Sequence, residues 1–447
     1  MIPLPRRAIG VLFGFAFLTS AAYVLTSSIG MSLYLARVGS HALPLVLVAS
    51  AVVVVIVSML TFVLINVTAP RHCIVAIWSL LATASTYLSW ELTESHHSVF
   101  VLGMIYVLAE VRGCLNTVFL TTLMTDWFRN SESKRPYTLV AAGAPVAGIA
   151  AGLFLTWEAS VLGNVRILQV IAALDLAVAV LAWSLPRRAS QPPTEQPNTS
   201  HPQNQNGSET TASLNPSCDT PTQESNGKDQ APTKASSLSE ASVPPKPSWS
   251  LLQFRSHLLV LMVVQTAVLT LIGYQWKVSV SDYWHEDESS LITYFAAYYA
   301  IVDTLILTSQ LFIAGRLLDR FSVGMALRVY PLLLAITAAA AFFVNSVFAL
   351  MIIFTFARGL DVFRRSLHDP ALASAFAILS KRFRRQSIVV IKGIAKPTAE
   401  VISAMALFLY AATSSSNQIT AVWLLLLIPW VLSATVAGKI HGQYDSS

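Results

Sequence analysis

The stretch AIGVLFGFAFLTSAAYVLTSSIGMSLYL, Ala8 to Leu35, contains no charged side chain and exceeds the roughly 20 residues that cross the hydrocarbon core of a bilayer. In lipid every backbone donor and acceptor must be satisfied within the segment, so such a run is a helix. Working outward, comparable apolar segments follow at Leu43 to Val67, Cys73 to Trp90, Val99 to Trp127, Tyr137 to Trp157 and Ile167 to Trp183. After a long polar interval they resume at Leu258 to Val280, Leu291 to Leu317, Met325 to Val344, Val347 to Leu379, Ser387 to Tyr410 and Ile419 to Gly438. The alternation of a membrane β-barrel is absent. An all-α membrane protein of twelve transmembrane helices is therefore expected.

Composition supports this. Of 447 residues, 54% are hydrophobic and 12% charged, against roughly a quarter charged in water-soluble domains. The apolar run at the start is too long for the roughly 7 to 15 residues of a signal-peptide core, so it reads as the first span and not as a cleaved leader. From about Pro186 to Trp249 the chain turns to Ser, Pro, Thr, Gln and Asn. Such a segment cannot bury enough to offset its ordering entropy, and a disordered linker is expected there. The expected organisation is an N-terminal six-helix bundle over 1–185, a linker over 186–250 and a C-terminal six-helix bundle over 251–447.

The net charge of +6 reads as a topology signal and not as a surface for a nucleic acid polymer, because lysine and arginine are retained on the cytoplasmic side. With the N-terminus inside, the inner segments hold Arg71, Lys134, Arg135, Arg187, Arg188, Lys381, Arg385 and others, while the outer loops hold Arg37 and the acidic group Asp282, Glu286, Asp287, Glu288. Both termini and the linker are thus expected in the cytoplasm of a bacterial inner membrane or its equivalent. The sequons at Asn198 and Asn206 would then be unglycosylated. Cys73, Cys114 and Cys218 have no disulfide or metal spacing. No phosphate-binding glycine loop, zinc-spaced set or nucleophile elbow is found, and His96-His97 reads as a solvated pair. Neither catalysis nor a cofactor nor a metal is expected.

The two halves echo each other in order. Ser98-Val99-Phe100 recurs as Ser346-Val347-Phe348, Arg112-Gly113 as Arg358-Gly359, Lys134-Arg135 as Arg384-Arg385, and Gly143 to Pro145 as Gly393 to Pro397, at separations of about 246 to 252 residues. Two parallel six-helix pseudo-repeats are the arrangement of the major facilitator fold, in which two halves rock about a central site.

Ionisable residues inside spans cost several kcal/mol at the bilayer centre unless they face a cavity or a partner. Lys392, Lys396 and Glu400 are spaced by four and share one helical face. That face is an anion-binding surface on one reading and, for Lys392, a snorkelling interface residue on the other. Arg358 and Asp361 are three apart and positioned to pair locally, with Arg364 and Arg365 beyond them. Lys277 follows Tyr274-Gln275-Trp276, a patch suited to stacking a ring and neutralising an acid. Glu110 and Arg112 lie at the matching depth of the fourth span, and Asp175 and Asp303 are isolated carboxylates. Glu110, Arg112, Asp303, Asp361 and Glu400 are the expected coupling or gating groups.

The second half also resembles a known family. Tyr274-Gln275-Trp276-Lys277, Gln310-Leu311-Phe312, Gly315-Arg316-Leu317-Leu318-Asp319-Arg320-Phe321, Arg365-Ser366-Leu367, Pro370-Ala371 and Lys392-Gly393 are similar to the nucleotide-transporter (ATP/ADP antiporter) family. The likeness spans roughly residues 265 to 410, and in the first half it rests on Glu110 and on Lys134-Arg135-Pro136-Tyr137. It implies a substrate-binding set of Lys277, Arg358, Lys392 and Lys396, with Tyr274 beside it. The first span departs from the pattern, since it offers Ser, Thr and Tyr23 but no cation. The expected function is secondary transport of an anionic metabolite, nucleotide-like, by a monomer in the lipid bilayer, with a proton or a counter-substrate as coupling partner. The alternatives are proton-coupled transport of another organic solute and a non-transporting receptor or scaffold working through the linker.

Overall fold

A computed structural model describes residues 6–68, 70–93, 98–127, 139–184, 248–285, 287–312, 322–377, 379, 387, 389–411 and 413–445. His96-His97, the basic runs at Lys134-Arg135 and Lys381 to Arg385, the Gly315 to Phe321 motif, Cys218, both sequons and nearly all of the expected linker lie outside these residues. Residues Met1–Pro186 and Pro247–Ser447 form one compact unit.

Among the described residues the regular secondary structure is helical. The first half comprises α1 (Arg6–Arg37), α2 (Leu43–Val67), α3 (Pro70–Glu91), α4 (Val99–Trp127) and α5 (Gly143–Trp183). Helix α5 holds two spans joined at Gly163, whose φ of 71° and ψ of 161° break the helical path. Only glycine occupies such a conformation without strain. The second half comprises α6 (Ser248–Tyr283), α7 (Glu288–Phe312), α8 (Val323–Phe342) and α9 (Val347–Gly359). It continues with α10 (Asp361–Phe363), α11 (Asp369–Ala377), α12 (Lys396–Tyr410) and α13 (Ser416–Asp445).

Ten helices among the described residues are long and apolar enough to cross a membrane. The segments expected as spans at Val347 to Leu379 and Ser387 to Tyr410 are not among the ten. Between Val347 and Ala377 the helix changes to π geometry over Arg364–His368, and α12 is preceded by a second π segment, Val389–Ala395. Wide turns of this kind are frequent at functional sites. The first interruption carries Arg364 and Arg365, which pair with the buried Asp361.

Helix α1 runs through the interior, packed against α4, α5 and α7. Several of its buried hydroxyls are satisfied locally, by α4 or by α7, while Ser28 Oγ has no partner among the described residues: Thr19 donates to the Phe15 carbonyl at 2.8 Å and to Asn116 Oδ1 at 2.8 Å, and Asn116 donates to Ser20 Oγ at 3.0 Å. In lipid this is what permits a polar stripe. Large apolar side chains such as Phe100, Met59, Leu80 and Trp157 stand exposed, as the surface facing acyl chains requires. Asp287 caps α7, accepting from Ser290 N at 2.8 Å and Ser289 Oγ at 2.9 Å, and these donors hold its carboxyl below the ordinary range.

At one contact of α5 with α7, glycines of α5 leave room for atoms of α7. A Cβ on Gly152 of α5 would lie 2.6 Å from the Ala296 carbonyl oxygen of α7, and one on Gly148 would overlap the Asp303 carboxylate. Small residues let membrane helices approach backbone to backbone.

Candidate functional site

In the first half, Arg112 is enclosed. Its Nε donates to both oxygens of Asp175 at 3.2 and 3.3 Å, and Nη2 reaches Asp175 at 2.5 Å and also bonds Ser85 Oγ. The two charged side chains are 2% and 0% exposed. This pair ties α3, α4 and α5 together inside one half. Both members of the pair, and Ser85 beside them, lie in the first half of the chain. Asp175 is likewise engaged.

The patch Tyr274 to Lys277 divides its roles around α6, since successive helical residues point about 100° apart. Gln275 is fully engaged with α13, donating to the Ser416 carbonyl at 2.8 Å and Thr420 Oγ1 at 2.9 Å and accepting from Trp423 Nε1 at 2.6 Å. Trp276 packs onto α7, with its ring 4.5 Å from Tyr298 and 5.2 Å from Phe295, and donates to Tyr294 Oη at 3.1 Å. Tyr274 is buried and has Asp282 as its electrostatic neighbour. Lys277 crosses to the other half, where its ammonium bonds the Tyr106 hydroxyl of α4 and lies 4.9 Å from that ring's centre.

Beyond Arg358 the π turn gathers a carboxylate–guanidinium cluster. Asp361 accepts from Arg364 Nη2 at 3.0 Å and from Arg365 Nε at 3.0 Å, and Arg364 Nε also bonds it. Arg365 reaches Asp303 at 3.9 Å, and Arg364 reaches Asp369 at 3.5 Å. The expected local pair of Arg358 with Asp361 does not form. Asp361 turns forward to residues three and four ahead, and the Arg358 guanidinium lies 6.0 Å from the centre of the Trp276 ring. Among the described residues, neither Lys277 nor Arg358 has a carboxylate within 4.0 Å.

Two acids complete the centre. Glu110, one turn beyond Tyr106 on α4, and Glu400 on α12 are both half-buried. Both interact electrostatically with Lys277, and Glu400 does so with Glu110 and Lys396. Lys396 is exposed. Lys392 falls in the second π segment, and its side chain lies outside the described residues. The structure thus brings Lys277, Arg358, Glu110 and Glu400 into one electrostatic neighbourhood. It places Asp303 and Asp361 in the adjoining arginine cluster and Arg112 away from it.

Sequence reasoning missed the tyrosines. Tyr106 meets Lys277, and Tyr299 of α7 bonds Ser27 of α1 at 3.0 Å, so hydroxyls join the halves where the cations lie. The position of Tyr106 four residues before Glu110 was the available signal. Also missed was a three-residue junction where α1 ends and α7 begins. Arg37 Nε donates to Glu288 Oε2 at 2.9 Å, and Asn164, beside the Gly163 break, donates to the other oxygen. Both charged partners are 29% exposed.

No family model and no curated protein sequence matches the chain. Solved structures do. A D-xylose-proton symporter superposes with a TM-score of 0.61 at 12% identity, over 96% of each chain. The nucleoside transporter NupG gives 0.57 at 11% identity, over 97% of this chain and 99% of that one. A bacterial homolog of the human lysosomal transporter Spinster, in an inward-facing and unoccupied conformation, gives 0.53 at 14% identity, over 99% of both. The fold is major facilitator-like. With its ten apolar helices, the chain is an integral, multi-pass membrane protein.

Proposed function

We propose that the chain is a secondary transporter that carries an anionic, nucleotide-like metabolite by alternating access of two six-helix halves, residues 1–185 and 251–447. The observation that carries this reading is the pair Lys277 and Arg358, cations with no carboxylate within 4.0 Å among the described residues. A cation outside ion-pair range of any acid is only partly offset at bilayer depth, and a negatively charged passenger adds to that offset. Lys277 bonds across to Tyr106 of the other half, so a ligand held there touches both moving bodies. The resemblance of residues 265 to 410 to nucleotide transporters points the same way, as does the fold shared with a nucleoside transporter.

Charge sets the size of the passenger. Arg364 and Arg365 are already matched by Asp361, Asp303 and Asp369, and α1 supplies hydroxyls only. Lys277 and Arg358, with the exposed Lys396 nearer solvent, suit a monophosphate or a carboxylate better than a tetra-anion. In this reading the termini and linker face the cytoplasm, and the Arg37–Glu288–Asn164 junction closes the outer side. Labelled adenosine 5′-monophosphate and a panel of aromatic carboxylates offered to proteoliposomes test it. Saturable uptake of at least one is expected; absence of saturable uptake of every phosphorylated and carboxylated solute overturns it.

A further inference from the structure

Nine buried polar side-chain atoms lack a hydrogen-bond partner among the described residues, and three of them sit on rings that pack together: Tyr330 Oη, His368 Nε2 and Trp430 Nε1. Tyr330 belongs to α8, His368 closes the π turn Arg364–His368, and Trp430 belongs to α13. Helix α8 packs on both of the other two elements. The ring centres form a triangle with sides of 5.6, 5.8 and 6.2 Å, and every pair meets edge to face. All three residues are 0 or 1% exposed, so bulk solvent does not reach them. On its other edge His368 has Asp369, with Nδ1 3.5 Å from Oδ1. Each of the three chain segments is irregular at this level. The π turn is one departure from the α path, Pro331 follows Tyr330 inside α8, and Pro429 precedes Trp430 inside α13. Proline has no N–H, so a carbonyl four residues earlier in each helix, that of Leu327 and that of Leu425, loses its helical donor.

We propose that the triangle of Tyr330, His368 and Trp430 encloses a site for ordered water, which joins α8, the π turn and α13 inside the second half. A dry triangle has only ring faces to offer its donors, and contacts of N–H with an aromatic face are weak and second-order. Ring faces also give nothing to the Tyr330 oxygen as an acceptor or to the carbonyl of the fully buried Leu327, and a buried polar group left unpaired is costly. Water both donates and accepts. It therefore serves an indole N–H, which only donates, together with phenol and carbonyl oxygens, which accept. A halide is the other small ligand that ring donors hold, and it can only accept. Buried waters make about three hydrogen bonds each to groups of this kind, and in membrane helices they take over backbone groups released by proline. The site is independent of what the chain carries.

The test uses the full chain in liposomes, exposed to brief X-ray pulses that split water into hydroxyl radicals where it stands. Side chains beside bound water are oxidised even where bulk solvent is absent, and mass spectrometry locates them. Trp430 is expected to be oxidised several-fold faster than Trp78, an indole equally buried but packed on Phe15 and Phe119. A rate no higher than that of Trp78 overturns the proposal. A second measurement reads the tyrosine hydroxyl. Tyr330→Phe keeps the ring and removes only the oxygen, so a site holding water loses a bond and the melting temperature of the detergent-solubilised protein is expected to fall by several degrees. A hydroxyl with no partner leaves the melting temperature unchanged or raises it on removal, and that result also overturns the proposal. Replacing chloride by gluconate is expected to leave the oxidation of Trp430 as it was. A change confined to Trp430 among the tryptophans identifies a halide and overturns the assignment of water.

Discussion

Arg112 and Arg358 occupy matching places in the two halves, each followed by glycine, yet they live in opposite circumstances. Arg112 is sealed against Asp175 and Ser85 within its own bundle, whereas Arg358 lies against the Trp276 ring with no carboxylate in ion-pair range among the described residues. The difference shows that an arginine's depth in the bilayer does not settle its role. Where its counter-charge comes from does. On the transport reading proposed above, a guanidinium matched within its own half braces that half, and one without an ion pair is open to a ligand.

The sharpest way to break this comparison is to remove the first arginine's partner. Asp175→Ala leaves a buried unpaired charge, and a loss of about 3–5 kcal/mol is expected in denaturant unfolding of the detergent-solubilised protein. Adding Arg112→Met should recover much of that loss. A loss below about 1 kcal/mol would show that Arg112 is not a structural clamp. Gly152→Ala comes next, because the new methyl meets the Ala296 carbonyl at 2.6 Å; overpacking of this kind costs about 1–3 kcal/mol, read by the same method.

Arg358→Gln reverses the pattern. The unfolding midpoint should hardly move while uptake of adenosine 5′-monophosphate falls about tenfold or more, the equivalent of roughly 1.4 kcal/mol of lost binding. Equal stability losses in Arg358→Gln and Asp175→Ala would erase the distinction between the two arginines. The smallest effect is expected at the junction of Arg37 with Glu288. Both are partly exposed, so Arg37→Glu should cost no more than about 1 kcal/mol and matter less in high salt. Its readout is labelling of a cysteine introduced at the α1–α7 end. Labelling should rise in the single variant and return to the starting level when Glu288→Arg is added.

Much of the architecture was readable in advance because hydrophobic length is a one-dimensional property. Ala8 to Leu35 announces a span without reference to anything else, and the ordered echoes such as Arg112 and Arg358 announce duplication. The π geometry at Arg364–His368 was harder to foresee. Pro370 signalled an irregularity in the tenth segment, but a wide turn depends on which carbonyls find partners after packing. The site divided in the same way. Lys277 stood out because lysine in an apolar span has few harmless explanations, while the engagement of Arg112 by Asp175 depends on residues 63 positions apart, which no local pattern connects. Tyr106 and Tyr299 escaped notice because tyrosine is ordinary in a membrane helix until a cation or a hydroxyl from the other half is set against it.

The bare contact of α5 with α7 has a mechanical consequence. Where helices interlock through long side chains, separating them means withdrawing each knob from its socket, and the motion is stepwise and stiff. Gly152 presents its backbone to the Ala296 carbonyl and Gly148 makes room for the Asp303 carboxylate, so in the rocking motion proposed above no long side chain of α5 at these positions has to be withdrawn. A hinge built this way can be quick, and its speed is vulnerable to the addition of a single methyl group.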